Sequence, residues 1–303
     1  MLPSWSEVRE RWRTMVERRR DLVGINRRNV TLVYRHNPRK LYPEADDKLL
    51  CKQLMEREGV PLARTLAICE GLSQIPDTLE SLRELEQFVV KPANASGGEG
   101  ILVVGERVRD GVWRRAGGEE LTLAEMRYRL AEIVFGAYSG DLEDRAFVEE
   151  RIRPHPVFQA FWGDGLCDIR VITLEHRPVL CMVRVPTRES GGRANLHQGG
   201  IGLAVDLESG KTVRAYYRGS AIVTHPESGA PLVDIQLPRW PEVLETAERA
   251  ARSVRLGYLG VDVVVDAERG CMVLEVNARP GLEIQNVHGH GLGEALRRYG
   301  GIA

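Results

Sequence analysis

Cysteine is scarce in this 303-residue chain: Cys51, Cys69, Cys167, Cys181 and Cys271 are an odd set with no C-x-x-C pair. That argues against a disulfide framework and offers no zinc-ligand spacing, and it points to a reducing, cytoplasmic setting. Long apolar runs are also lacking. Nowhere do about 18 apolar residues run together, as a spanning helix requires. The opening MLPSWSEVRERWRTMVERRRDL lacks the uninterrupted apolar core of a signal peptide. Charge of one sign is missing too. Lys and Arg number 42 against 43 Asp and Glu, a formal net charge of −1, so bulk electrostatics gives no reason to expect nucleic acid or an anionic membrane. What is present is ordinary globular composition, 43% hydrophobic and 28% charged, in a chain long enough for one large domain or two smaller ones.

Trp5, Val8, Trp12 and Met15/Val16 recur at helical spacing, so the first twenty or so residues read as an amphipathic helix that packs on the body of the protein. A loop-rich stretch follows with Arg27, Arg28, Arg35, Arg39 and Lys40. A second helix starts after Asp46 or Asp47, either able to cap it, and stops at Gly59. A strand near 64–69, a helix near 77–86, strands at FVVKP and ILVVGERV, a helix near 122–138 and a strand at RAFVEERI complete the first half. The order is α+β, without repeats.

Between FVVKP and ILVVGERV lies KPANASGGEG, with Lys91, Ser96, Gly97, Gly98 and Gly100. Glycines let backbone N–H groups approach oxygen closely and an ammonium supplies a point charge, as a phosphate flap needs. No Gly-Lys-Ser/Thr follows, so this is not a Walker A loop, and a lysine before a glycine turn serves a plain hairpin as readily as a nucleotide. DIRVITLEHRPVLCMVRVP reads as a hairpin turning near 176–178; a three-residue loop would set Arg170 opposite Arg184, and a two-residue loop breaks that pairing. Opposed like charges call for an anion between them, or else the two arginines snorkel from a sheet edge. In TRESGGRANLHQGGIGLAVD, Arg193 and Asn195 are candidates to donate to a phosphate or a developing oxyanion, while His197 reads as a loop histidine. In GVDVVVDAERGCMVLEVN a four-residue turn over 267–270 sets Asp262 opposite Glu275, with Asn277 on the same face. Three oxygen-bearing side chains gathered this way suit a hard cation such as Mg²⁺; the alternative is a solvent-facing polar sheet surface.

Taken in order, DDK at 46–48, FVVKPANASGGEG, FVEERI, DIRV, GGRANLHQGG and GVDVVV with LEVNARPGL resemble the motifs of ATP-grasp ligases. RANLHQGG resembles the RimK type, and the NPRKLYPEADDK opening and NARPGLEIQ ending are similar to the alpha-L-glutamate ligase-like group of RimK-related proteins. The resemblance covers roughly residues 24–295. It implies an ATP-grasp fold of two α+β subdomains closing on ATP, residues 46–150 and 151–303, behind a reduced N-terminal helix and connector over 1–45. Lys48 and Lys91 would then contact ATP phosphates, with Ser96, Gly97, Gly98 and Gly100 covering them, and Glu149, Glu150, Arg151 and Ile152 would present the hinge strand to adenine. Asp262, Glu275 and Asn277 would ligate Mg²⁺, with Mn²⁺ as the alternative ion. Arg170, Arg184, Arg193 and Asn195 would surround the γ-phosphate and acyl intermediate.

The implied activity is ATP-dependent carboxylate–amine ligation through an acyl phosphate, adding glutamate or another amino acid to a peptide or small acceptor. An ATP-grasp phosphotransferase acting on a small molecule and a non-catalytic ATP-binding subunit of a larger complex are the alternatives. Arg27, Arg28 and Arg39 are candidates to hold a substrate carboxylate. Only 45 residues precede DDK, where such ligases carry an α/β domain of about a hundred residues; the resemblance therefore implies either a reduced acceptor site or a homo-oligomer or partner protein that completes it.

Overall fold

A computed structural model of the chain describes residues 21–95, 97–163 and 165–299, together with Trp5, Arg9 and Trp12. The expected N-terminal amphipathic helix otherwise lies outside the described residues. Trp5 and Trp12 are helical but exposed, so at these two positions the expected packing is not met. The chain divides into two compact units, one of residues 46–153 and one of residues 1–45 with 154–303.

In the 46–153 unit, α1 (Lys48–Arg57) begins where Asp47 accepts the N–H groups of Leu49 and Leu50, each at 3.1 Å. Those are donors that no helical carbonyl can reach, and a carboxylate there also suits the helix dipole. A six-stranded antiparallel sheet follows, formed by β1 (Thr65–Cys69), β2 (Phe88–Pro92), β3 (Leu102–Arg109), β4 (Val112–Arg115), β5 (Glu120–Thr122) and β6 (Ala146–Glu149). Its order is β1-β6-β2-β3-β4-β5. One face carries Phe88, Val90, Val104, Trp113, Leu121 and Val148 into a core closed by α2 (Ile75–Leu82) and α3 (Leu123–Val134). α3 starts at a capping box: Thr122 and Glu125 satisfy each other's backbone N–H. Strand alternation sends Lys91, Phe147 and Glu149 to the opposite face, where Phe147 packs with Leu49 of α1 and Ala93.

The other unit is built on a seven-stranded antiparallel sheet of β7 (Asp168–Leu174), β8 (Arg177–Val185), β9 (Ile201–Val205), β10 (Thr212–Tyr217), β11 (Ser220–Ile222), β12 (Tyr258–Asp266) and β13 (Gly270–Asn277). Its order is β11-β10-β9-β8-β7-β12-β13. Every residue of β12 is buried, which accounts for its apolar composition on either side of Asp262. α4 (Trp240–Ser253), with Pro241 in its first turn where no N–H is needed, packs on β12 and β13. α5 (Glu283–His288) and α6 (Leu292–Tyr299) join Leu32, Val33, Ile172, Met182 and Tyr258 in a second core. The loop-rich N-terminal stretch winds through short helical turns over residues 25–36 and is fastened by the buried Asn37. Its amide donates to the carbonyls of Tyr258 and Ala278, each at 2.7 Å, and accepts the Tyr258 N–H at 2.9 Å.

Both charged hairpins depart from simple counting. β7 and β8 turn over residues 175–176, where Glu175 and His176 have φ of +46° and +67°, a two-residue turn of the kind that matches strand twist. A bulge then leaves Val179 unpaired, so Arg170 faces Met182 and Arg184 faces Asp168. The expected Arg170–Arg184 opposition is corrected: pairing Arg184 with a carboxylate removes the like-charge contact that the counted register would create. β12 and β13 turn over 267–269, with Gly270 at φ +86°, one residue shorter than expected. A bulge at Leu274 restores the offset, and Asp262 does face Glu275.

Candidate functional site

In the 46–153 unit the glycine-rich loop is held from several sides. The Lys48 N–H donates to Ala93 carbonyl at 3.0 Å and its ammonium to that of Ala95. Buried Asp144 takes the Asn94 backbone N–H through both oxygens and the Asn94 amide at 2.8 Å. Gly97 and Gly98 have φ of +65° and +78°, consecutive left-handed positions that only glycine adopts without strain. Gly100 is required for another reason: a Cβ there would lie 2.7 Å from the Tyr138 ring. Ser96 lies outside the described residues.

Lys91 projects from buried β2 and forms an ion pair with Glu149. Lys52, one turn after Lys48 on α1, pairs with the other oxygen of the same carboxylate at 3.0 Å and donates to Ala63 carbonyl at 2.7 Å. Burial by itself would raise the Glu149 carboxyl, but the two ammonium groups outweigh it and hold it below the ordinary glutamate range. Glu149 thus spends its side chain on Lys91. The Glu150 N–H is spent on Arg64 carbonyl at 3.0 Å, and Ile152 is buried. Arg151 directs a guanidinium nitrogen toward Gly105 carbonyl at 3.5 Å.

In the other unit, β7, β8, β12 and β13 bring five charged groups together. Arg170 grips Asp262 with two bonds, Nε to Oδ1 at 2.7 Å and Nη2 to Oδ2 at 2.6 Å. Arg184 grips Asp168 the same way, at 2.6 and 2.7 Å, and its Nη2 also reaches Asp262 Oδ2 at 2.7 Å. Asn277 amide approaches that oxygen at 3.3 Å. The anion between the two arginines is therefore the protein's own Asp262, which is 1% exposed. Burial would raise its carboxyl; Arg170 and Arg184 together keep it low. Asp168 is pushed up to about 6, because burial and the neighbouring Asp262 charge exceed what Arg184 returns. Burial works against the Arg184 charge as well, yet Asp168, Asp262 and Glu275 raise its affinity for its proton.

Glu275 differs from its neighbours. It is half-buried, opposite Asp262 in register, and among the described residues it makes no ion pair. Three carboxylates against two guanidinium groups leave one negative charge, and it falls on the side of Glu275 and Asn277. An oxygen-donor set with one residual negative charge fits a hard cation, with Glu275 and Asn277 as the protein groups nearest to availability and Asp262 already engaged.

The remaining expected residues are spread more widely. Asn195 caps the turn Leu196–Gln198 by accepting the His197 N–H at 3.0 Å. Arg193 is exposed in the same loop and makes no ion pair among the described residues. Arg28 is committed to its own unit, with Asn29 Oδ1 at 2.7 and 3.1 Å and Pro280 carbonyl at 3.1 Å. Arg27 and Arg39 are exposed. Sequence reasoning passed over Lys52, Asp144, Asp168 and Asn37. Two of them had a signal: Lys52 follows Lys48 by four residues on one helix face, and Asp168 precedes Arg170 by two on one strand face.

A family model described as sugar-transfer associated ATP-grasp matches residues 27–300. The chain belongs to this ATP-grasp family. Among curated proteins it is similar to ribosomal protein bS6–L-glutamate ligase of Escherichia coli O7:K1, 28% identical over 242 residues that cover 79% of this chain and 57% of the ligase. The corresponding ligase of Shigella boydii serotype 18 gives the same values. The chain thus spans a little over half the length of these curated relatives. Among solved structures, D-alanyl-alanine synthetase A from Vibrio cholerae aligns at 12% identity and TM-score 0.49, over 84% of this chain and 63% of that one. A RimK domain ATP-grasp protein from Sphaerobacter thermophilus aligns at 12% identity and TM-score 0.48, over 87% and 70%. In ATP-grasp terms, Lys48, Lys91 and the two left-handed glycines lie in one unit and the Asp262–Glu275–Asn277 strand pair in the other. No helix among the described residues of this ATP-grasp chain is long and apolar enough to cross a membrane.

Proposed function

We propose that the chain is an ATP-dependent carboxylate–amine ligase working through an acyl phosphate. The observation that carries this reading is the β7–β8–β12–β13 cluster, where two partly buried guanidinium groups and an oxygen-donor strand pair share one face. In this reading Lys48 and Lys91 take phosphate oxygens of ATP, and the backbone at Gly97 and Gly98 lies against them. Glu275 and Asn277 hold Mg²⁺, with Asp262 orienting Asn277 and both arginines. When bound, that ion would neutralise charge on the transferring phosphoryl group. A substrate carboxylate oxygen attacks the γ-phosphorus and ADP leaves; an amine then attacks the acyl carbon and releases phosphate. Arg193 and the side-chain amide N–H groups of Asn195 are proposed to steady the tetrahedral adduct, the Asn195 carbonyl oxygen being taken by the turn cap. Loss of one such donor costs about 10²–10³ in rate.

Arg39 and Arg27 are proposed to recognise a substrate carboxylate, and Arg28 to shape that region through Pro280. The glutamate ligases to which the chain is similar favour glutamate or another amino acid as one substrate. Because the family is described as sugar-transfer associated, sugars that bear an amine or a carboxylate are added to the substrates to test. The test is phosphate release from Mg·ATP with pooled amino acids, short peptides, amino sugars and sugar acids, with mass spectrometry of each pool. A ligase yields ADP and a product lighter by one water than its two components, and Glu275→Gln abolishes it. A stable phosphorylated product without phosphate release would instead establish the phosphotransferase.

A further inference from the structure

We infer that Lys52 is a positioning residue: by sharing the Glu149 carboxylate, it leaves Lys91 with charge to give to a phosphate of ATP. This rests on the phosphate role proposed for Lys91 and adds a residue outside the motifs that carry the family resemblance. Lys52, Lys91 and Glu149 belong to one unit, and each side chain is 10% exposed or less. Strand register and helix spacing bring them together. Lys91 of β2 stands opposite Phe147 of β6, Glu149 follows two positions later on the same face, and Lys52 comes from α1 one turn after Lys48.

Alone with Lys91, a buried Glu149 would close a neutral pair, and an incoming phosphate would have to break it and strand the carboxylate. Two ammonium groups against one carboxylate leave one positive charge instead, and among the described residues no second carboxylate pairs with either lysine. Their partners decide which lysine gives that charge away. Lys52 is held by Glu149 Oε2 at 3.0 Å, by the Ala63 carbonyl at 2.7 Å, and over the Phe147 ring at 5.8 Å from its centroid. The Lys91 ammonium has only Glu149 Oε1 among the described residues. An ammonium carries three donors, so Lys91 keeps two for phosphate oxygens and is the one able to turn toward them. When it turns, Lys52 still neutralises Glu149, and no buried charge is left unpaired.

Calorimetric titration of the full chain with Mg·ATP and, in parallel, with adenosine tests this, because adenosine has no phosphate for Lys91 to hold. Lys52→Met is expected to weaken ATP binding about tenfold or more, since Glu149 then holds Lys91 undivided, and to leave adenosine binding within about twofold. Lys52→Arg keeps the charge and should bind ATP within about threefold of the parent chain. Lys52→Met/Glu149→Gln removes one charge of each sign and should recover most of the lost affinity. Lys52→Gln takes the place of the methionine variant if that one fails to fold. Unchanged ATP binding in Lys52→Met, an equal loss for ATP and adenosine, or a double variant that folds without recovery overturns the inference and leaves the ligase reading standing. A parent chain that binds ATP no better than adenosine overturns both, because Lys91 then holds no phosphate.

Discussion

Glu149 holds two buried ammonium groups with one carboxylate, and the consequence of removing it is asymmetric. Glu149→Ala leaves Lys91 and Lys52 facing each other without an anion, and a broken buried pair costs about 3–5 kcal/mol. Urea denaturation should show a loss of that size. Asp262→Ala strands Arg170 and leaves Arg184 with Asp168 alone, and should cost a similar amount, whereas Glu275→Gln, with no ion pair to break, should change stability by less than about 1 kcal/mol while removing metal-dependent turnover. If the two variants lose stability equally, the division into a clamped aspartate and an available glutamate is wrong. His288 gives a pH prediction. Burial lowers its ring to about 4, with Nε2 donating to Cys181 carbonyl at 2.7 Å. An unfolded histidine titrates near 6.5, so between those values the unfolded chain holds a proton that the native chain lacks. Stability is therefore complete above about pH 6.5 and is lost as pH falls toward 4, on the order of 3 kcal/mol in full. His288→Gln should flatten that part of the stability–pH curve relative to the parent, and superimposable curves would remove His288 from the account.

At the scale of elements, turns and bulges decided what charge and apolar alternation left open. The Asp262–Glu275 pairing was legible because both strands are long and apolar, yet it was reached by counting a longer loop and no bulge, two departures that cancel. The Arg170–Arg184 pairing was not legible. Neither the two-residue turn at 175–176 nor the bulge at Val179 has a glycine to announce it, and the register that forms is the one that gives Arg184 the Asp168 carboxylate. The glycine-rich loop was read as a phosphate flap, but Gly100 owes its identity to the Tyr138 ring. Gly100→Ala should therefore disturb the loop through that clash as well as through its positive φ. Replacing Tyr138 with Ala as well should recover part of the lost thermal stability, and no recovery would mean that φ strain accounts for the whole loss.

For the molecule as a whole, two separate cores imply separable energetics. Ile133→Val trims the core of the 46–153 unit and Ile172→Val that of the other, each costing about 0.5–1.5 kcal/mol. The double variant should lose the sum within about 0.5 kcal/mol, and a larger deviation would show the two cores to be coupled. By itself the sequence determined the α+β order, the helix starts at Asp47 and Thr122, and the residue types of the site, because capping, alternation and motif spacing are local and survive without a partner strand. Tertiary structure decided which charges meet. Lys52 with Glu149, Arg184 with Asp168 and Asp262, and Asn37 with Tyr258 and Ala278 are each joined across long sequence separations. A buried charge or amide has to find its partner wherever the chain delivers one, and no local pattern records that choice.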